Sequence, residues 1–380
     1  MSSNSHKPTS KEQIVFFGSI FLLAGIISIL YFLGASHKLL GWIAFTIAAF
    51  SVAGNDAIQT IGTFIESKKG TQLALKILVF SGLLFVVHLI GWYKDNHEVH
   101  FHRLDAFPPP ERFNLLQLLA PCVIVVLTRL KAPISTTFLI LGLFGGGNIE
   151  KMLTKSFLGY GVAFLFAMLV WGIHSRLQPD EYHQEFEPDP KSEKFWSSFQ
   201  WVSTSLLWIA WLLQDTANIA VFIPRKLEFW EFCLGIGIIG LALSFIFYTD
   251  GGTIQEVVSE KSDISSAKAA TLVDLVYATL LILFQYISKM PMSTTWVFLG
   301  LLAGREIILH IVTRRDRPYL ETFRQVGKDV LLASLGITVS VSFYLLSYVI
   351  YPSQNTHSEI LLMIQEWLIQ FQKVSFLYFK

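Results

Sequence analysis

The chain has 380 residues, 53% of them hydrophobic and only 15% charged, and its 29 basic and 28 acidic side chains leave a net charge of +1. Mean hydropathy is +0.52. These values exclude a disordered chain, which needs low hydrophobicity and high net charge, and argue against a soluble nucleic-acid binder, which needs a basic excess.

Two cysteines exclude a disulfide framework or a cysteine-based zinc site. Cys122 and Cys233 sit in apolar runs and read as small core residues. What remains is an all-α integral membrane protein whose charges are held in loops.

A spanning helix needs about 20 apolar residues. Runs of that kind lie near 13–34, 40–65, 73–92, 114–130, 156–174, 196–223, 229–248, 269–288 and 329–350. They are continuous rather than alternating, which favours helices over a β-barrel. Two shorter runs, 134–147 and 292–304, each follow a proline and read as half-helices or arms of re-entrant hairpins. The span count therefore lies between nine and twelve.

Residues 1–12 are polar, and the first apolar run lacks a small-residue cleavage site, so 1–39 reads as an N-terminal anchor helix. The loop 93–113 carries His97, His100 and His102. His-x-His spacing suggests a metal, but no cysteine or HExxH helix accompanies it, so a solvated loop ending in Pro108-Pro109-Pro110 is preferred. Gly145-Gly146-Gly147 is not followed by Gly-Lys-Ser/Thr and reads as a sharp turn.

Residues 175–195, with Asp180, Glu181, Glu185, Glu187 and Asp189, read as an acidic linker between two halves, 40–174 and 196–350. The tail 351–380 places Ile360, Leu361, Ile364, Leu368 and Phe371 at helical spacing. It reads as an interfacial amphipathic helix, with one last span as the alternative. The strongest basic cluster, Arg305, Arg314, Arg315, Arg317, Arg324 and Lys328, sets 304–328 and the N-terminus in the cytoplasm of a multi-pass plasma (inner) membrane protein. Loops 93–113, 145–155 and 224–229 then face outside.

The chain contains itself twice. Gly54-Asn55-Asp56-Ala57-Ile58-Gln59 returns as Gln214-Asp215-Thr216-Ala217-Asn218. Pro133-Ile134-Ser135-Thr136-Thr137 returns as Pro291-Met292-Ser293-Thr294-Thr295. Asp56 precedes Pro133 by 77 residues, and Asp215 precedes Pro291 by 76. By the crossing count the two copies run in opposite directions, an inverted repeat of the kind that places a binding site near the midplane and supports alternating access.

Asp56 with Gln59, and Asp215 with Asn218, share a helix face at i,i+3. A carboxylate inside a spanning helix costs ~2.5–3.5 kcal/mol on insertion scales. Paired with amide oxygens it makes a hard-oxygen site for a small cation, with a polar inter-helix clamp as the structural alternative. In the proline motifs, a helix start with Ser and Thr hydroxyls aims donors at one spot and suits an anion. The alternative there is simple helix capping.

These motifs resemble those of the inorganic phosphate transporter (PiT) family, as a divergent member. Gly54–Gly70 with Gly62, Thr63 and Ser67 resembles one signature and Gln214–Asn218 the other. Ser135-Thr136-Thr137 with Gly142, and Ser293-Thr294-Thr295 with Gly300, resemble the later motifs. The likeness covers roughly 40–350.

The resemblance implies a cation-coupled phosphate symporter without a cofactor, using Na+ or H+ as coupling ion. It places Asn55, Asp56, Gln59, Gln214, Asp215 and Asn218 at the cation, with Na+ at Asn55, Asp56, Asp215 and Asn218. It places Ser135, Thr136, Thr137, Ser293, Thr294 and Thr295, with Asp56 and Asp215, around the anion, and it accords with a homodimer. Gln59 and Gln214 stand where the family has asparagine, and Phe138 and Trp296 where it has histidine. Sulfate or another small oxyanion, or a passive anion channel on the same fold, are the alternatives.

Asp274 in its apolar run reads as a proton relay, as a partner for a basic residue, or as a solvated group near the cytoplasmic end of its helix. Arg305-Glu306 reads as a helix end. An enzyme is disfavoured, because His88 and His174 lack a paired nucleophile inside a span, and no Walker motif points to ATP.

Overall fold

The computed structural model describes residues 10–130, 134–145, 148–179, 189–252, 255, 266–287, 289–313 and 318–351. Its helices in chain order are α1 Ser10–Phe32, α2 His37–Val52, α3 Ile58–Ser67, α4 Leu73–Lys94, α5 Leu115–Arg129, α6 Gly142–Phe144, α7 Ile149–Leu177, α8 Pro190–Ala220, α9 Phe229–Tyr248, α10 Ala267–Ile287, α11 Thr294–Thr313 and α12 Tyr319–Ile350. Two π-helical turns, Ala53–Ala57 and Thr137–Leu141, join α2 to α3 and precede α6.

Among the described residues, eight helices are long and apolar enough to cross a membrane, counting α2 through α3 as one. The outer faces explain the composition. Phe21, Leu22, Phe32 and Leu33 on or just after α1 are each more than 60% exposed, tolerable only where lipid replaces water. Cys233 on α9 is exposed as well, so the sequence reading of it as a core residue is corrected; Cys122 is buried.

α8 is not among those eight, because Gln, Ser, Thr and Asp interrupt it, and those residues point inward. It starts on Asp189, whose carboxylate accepts from the Ser192 N–H at 3.1 Å, with Pro190 in the first turn. The other acidic linker residues and the tail from 352 onward lie outside the described residues.

The two short apolar runs fold differently from each other. The run at 292–304 is the first part of the continuous 20-residue helix α11. The run at 134–147 is a π turn followed by the single turn of α6. Arg305 is therefore inside a helix, buried, with its guanidinium 5.8 Å from the Trp171 ring, and does not end one. Arg314, Arg315 and Arg317 lie outside the described residues.

The halves repeat their packing. α2 lies on α5 as α8 lies on α10, and α4 lies on α8 as α9 lies on α2. α11 lies on α7, as the π turn and α6 lie on α12. Glycine sets the tightest of these contacts. A Cβ at Gly300 or Gly304 would come within 2.3 Å of Tyr160 O or 2.1 Å of Phe164 O, so this Gly-x-x-x-Gly stripe lets α11 touch the α7 backbone.

The loop 95–113 is not a solvated excursion. Val99, Leu104, Phe107, Phe113, His100 and Arg103 are all buried. Its histidines go to separate partners: His97 stacks on Trp92 at 4.3 Å, His100 pairs with Glu98 at 2.8 Å, and His102 lies 3.2 Å from Asp105. Glu98, His100 and Asp105 are close enough to share an ion, but the charge of Arg225 already acts on both carboxylates. Arg225 also donates to Phe107 O at 2.6 Å. That arrangement explains the cluster as a lock on the loop. Phe107 in turn packs against Gly145, where a Cβ would meet its ring at 2.3 Å, and Gly145 has a negative φ. Close approach, not a sharp turn, requires that glycine.

Candidate functional site

The duplicated motifs meet at the centre of the bundle. Asn55, Asp56 and Gln59 come from the π turn and the start of α3, and Asp215 and Asn218 from the last turns of α8. Ser135, Thr136 and Thr137 lead into the second π turn, and Ser293, Thr294 and Thr295 open α11. Every one of these side chains is buried.

Their hydrogen bonds follow the duplication. Thr136 Oγ1 donates to Asp56 Oδ2, and Thr294 Oγ1 donates to Asp215 Oδ2 at 2.6 Å. Each half then reaches across to the other. Gln59 Nε2 donates to Thr295 Oγ1 at 3.3 Å, and Asn218 Nδ2 donates to Thr137 Oγ1 at 3.1 Å. Asn218 Nδ2 also meets Asp215 Oδ1 at 3.0 Å and Thr136 Oγ1 at 3.0 Å. Thr295 Oγ1 lies 3.3 Å from Asp56 Oδ1. Asn55 Nδ2 donates to Asp56 Oδ1 at 2.7 Å and to Ile134 O at 2.5 Å. Two carboxylates, three amides and four threonine hydroxyls thus form one buried network.

The serines behave differently from the threonines. Ser135 Oγ accepts from Phe138 N, and Ser293 Oγ from Trp296 N, each at 3.3 Å. They cap the following turns, the role offered in the sequence as the alternative. Phe138 and Trp296, which stand where histidine would be in the resembling family, are buried in packing. Trp296 meets Phe157 and Tyr160 edge-on.

The amide oxygens carry the chemical clue. Asn55 Oδ1, Gln59 Oε1 and Asn218 Oδ1 are buried with no hydrogen-bond donor, while the nitrogen end of each is used. An unpaired buried polar atom costs about 1–3 kcal/mol. Three in one network, beside two carboxylates, suit a small hard cation that takes oxygen ligands. The donor set fits Na+.

Gln214 stands apart from those oxygens. Its Nε2 donates to Leu281 O at 2.7 Å, and its Oε1 accepts from Arg103 Nη2 at 3.4 Å. Arg103 has no counterpart in the sequence reading. It comes from the loop 95–113, and nothing in its neighbours hints that it turns inward. His88, near the end of α4, is buried and lies 3.0 Å from Thr216 Oγ1 by Nε2.

Asp274 on α10 forms a second polar node. It is fully buried and accepts from Thr63 Oγ1 at 2.6 Å, from Ser203 Oγ at 3.4 Å and from Thr204 Oγ1. The solvated reading of Asp274 is thereby corrected.

Searches by sequence match no family model and no curated protein. A solved structure described as "The sodium-dependent phosphate transporter" superposes with a TM-score of 0.57 at 16% identity, covering 83% of this chain and 99% of that one. The chain has the fold of a sodium-dependent phosphate transporter. The likeness extends over nearly the whole of that protein and over most of the region that carries the duplicated motifs.

Proposed function

We propose that the protein is a secondary active transporter that couples Na+ or H+ to the movement of inorganic phosphate by alternating access. The observation that carries this reading is the central network, in which Asp56 accepts from Thr136 and Asp215 from Thr294 while three amide oxygens have no donor.

The electrostatics supply the coupling. Two carboxylates taken out of water into one network repel each other and lose hydration. A cation held by them and by Asn55, Gln59 and Asn218 offsets both costs. An entering oxyanion adds negative charge to the same site, so it binds well only when cations are present. The threonine hydroxyls that now donate to the carboxylates are the donors a phosphate would take over once cations hold the carboxylates. Cation first and anion second is therefore the favourable order.

Both halves would run in opposite directions through the plasma membrane, with the N-terminus cytoplasmic, and the protein would work as a homodimer without enzymatic activity. Asp274, which accepts from three hydroxyls, would serve as the proton relay if H+ is the coupling ion. A thermal-shift panel of phosphate, sulfate, arsenate and bicarbonate in sodium against potassium tests the reading, since a ligand stabilises only the state it binds. Stabilisation by phosphate that needs sodium or low pH supports it. Stabilisation by none of these anions in any buffer contradicts it.

A further inference from the structure

The duplication sets four amides around the two carboxylates. Asn55 and Gln59 in the first half correspond to Gln214 and Asn218 in the second. The nitrogen end of each is engaged: Asn55 Nδ2 at Ile134 O, Gln59 Nε2 at Thr295 Oγ1, Asn218 Nδ2 at Thr137 Oγ1 and Gln214 Nε2 at Leu281 O. The oxygens of Asn55, Gln59 and Asn218 have no donor. The Gln214 oxygen differs, accepting from Arg103 Nη2 at 3.4 Å. Among these four oxygens the symmetry is broken at Gln214, and a guanidinium breaks it.

Arg103 is held there from several sides. It is 1% exposed, and its Nη1 donates to Gln285 Oε1 on α10 at 3.0 Å. The loop that carries it is packed tightly before and after it. A Cβ at Gly91 would meet the Phe101 ring at 2.5 Å, and one at Gly145 would meet Phe107. A guanidinium placed this way does not come and go as a dissolved ion does. Burial lowers Arg103 to about 10, so it stays charged near neutrality. Its charge acts on the carboxylate of Asp215, the residue after Gln214.

Charge balance then decides how many dissolved cations the centre takes. Two buried carboxylates are costly unless positive charge compensates them. With no resident charge, a duplicated site is balanced by two cations, one for each half. Arg103 already supplies one positive charge to the second half. A single sodium ion at the oxygens of Asn55, Gln59 and Asn218 brings the sum to zero. A guanidinium has donors and no acceptor, so an amide oxygen suited to a metal ion faces Arg103 instead.

We propose that Arg103 is a tethered cation that replaces one coupling ion, so that the centre binds a single sodium ion per chain where its duplicated motifs are laid out for two. The proposal rests on the transport reading and deepens it, by giving the number and class of the coupling ion. Phosphate then enters a centre whose charge is balanced by one dissolved and one built-in cation.

Equilibrium binding of radioactive sodium to the purified full-length protein tests this, beside phosphate uptake into proteoliposomes. The wild type is expected to bind about one sodium ion per chain. Arg103→Met, which keeps the length of the side chain and removes its charge and donors, is expected to bind about two. Arg103→Gln should do the same, and it decides the matter if Arg103→Met does not fold. Arg103→Lys keeps the charge and should stay at about one. If neither neutral variant folds, the wild-type count decides. Two sodium ions per wild-type chain, or one in a folded Arg103→Met or Arg103→Gln, overturn the tethered cation while leaving transport standing. A wild type that binds no sodium overturns it too. Phosphate uptake driven by a proton gradient would then keep the transport reading, and no uptake under any gradient would overturn both.

Discussion

Asp56 and Asp215 are the residues on which the account turns. Each accepts from a threonine of its own half, and the amides beside them cross to the other half. Changing either to Asn keeps the shape and removes the charge that, in the proposed function, would hold the cation. Asp56→Asn or Asp215→Asn is expected to reduce coupled uptake to background while the protein still elutes as a monodisperse species on size-exclusion chromatography. Wild-type uptake in both would contradict the cation role.

These carboxylates and their threonines were legible in the sequence because duplication at equal spacing made them stand out. Asp274 was only half legible, since an apolar run does not tell whether its acid meets water or hydroxyls. Arg103 was not legible at all. A loop arginine among histidines gives no local sign of its direction, and only the folding of 95–113 over Gly91 and Gly145 turns it inward.

At the scale of elements, the two copies of each motif are folded by different means. In the first half both motifs carry a π turn, which often marks functional positions because it inserts a residue and re-aims the side chains around it. In the second half the same chemistry sits on the regular helices α8 and α11. The sequence did not show that α11 continues past Arg305, because a charged pair imitates a helix end. The Trp171 ring and the α7 backbone make that continuation favourable.

The α7–α11 contact can be tested by glycine substitution. Gly304→Ala forces a Cβ to within 2.1 Å of Phe164 O and should destabilise by about 1–3 kcal/mol through overpacking. Gly327 on α12 is exposed with open space around its Cβ. Gly327→Ala should instead be neutral or stabilise by about 0.5–1 kcal/mol, since alanine is the better helix former. Thermal unfolding in detergent reads both. A lower midpoint for Gly327→Ala than for Gly304→Ala would contradict the packing described.

At the scale of the molecule, a surface rich in exposed Leu, Ile and Phe encloses a polar centre shared by two halves. The overall class was legible from composition; the apolar runs gave nine to twelve spans, against eight helices long and apolar enough to cross a membrane among the described residues. What composition cannot give is how the centre's charges balance. In the proposed function, the two buried carboxylates set the order in which ions enter. The most direct test is uptake of radiolabelled phosphate by proteoliposomes under an inward sodium gradient, an inward proton gradient, both, or neither. Accumulation above the external concentration that requires at least one gradient is the expected result. Uptake that proceeds equally without either gradient, and never exceeds equilibrium, would contradict coupled transport.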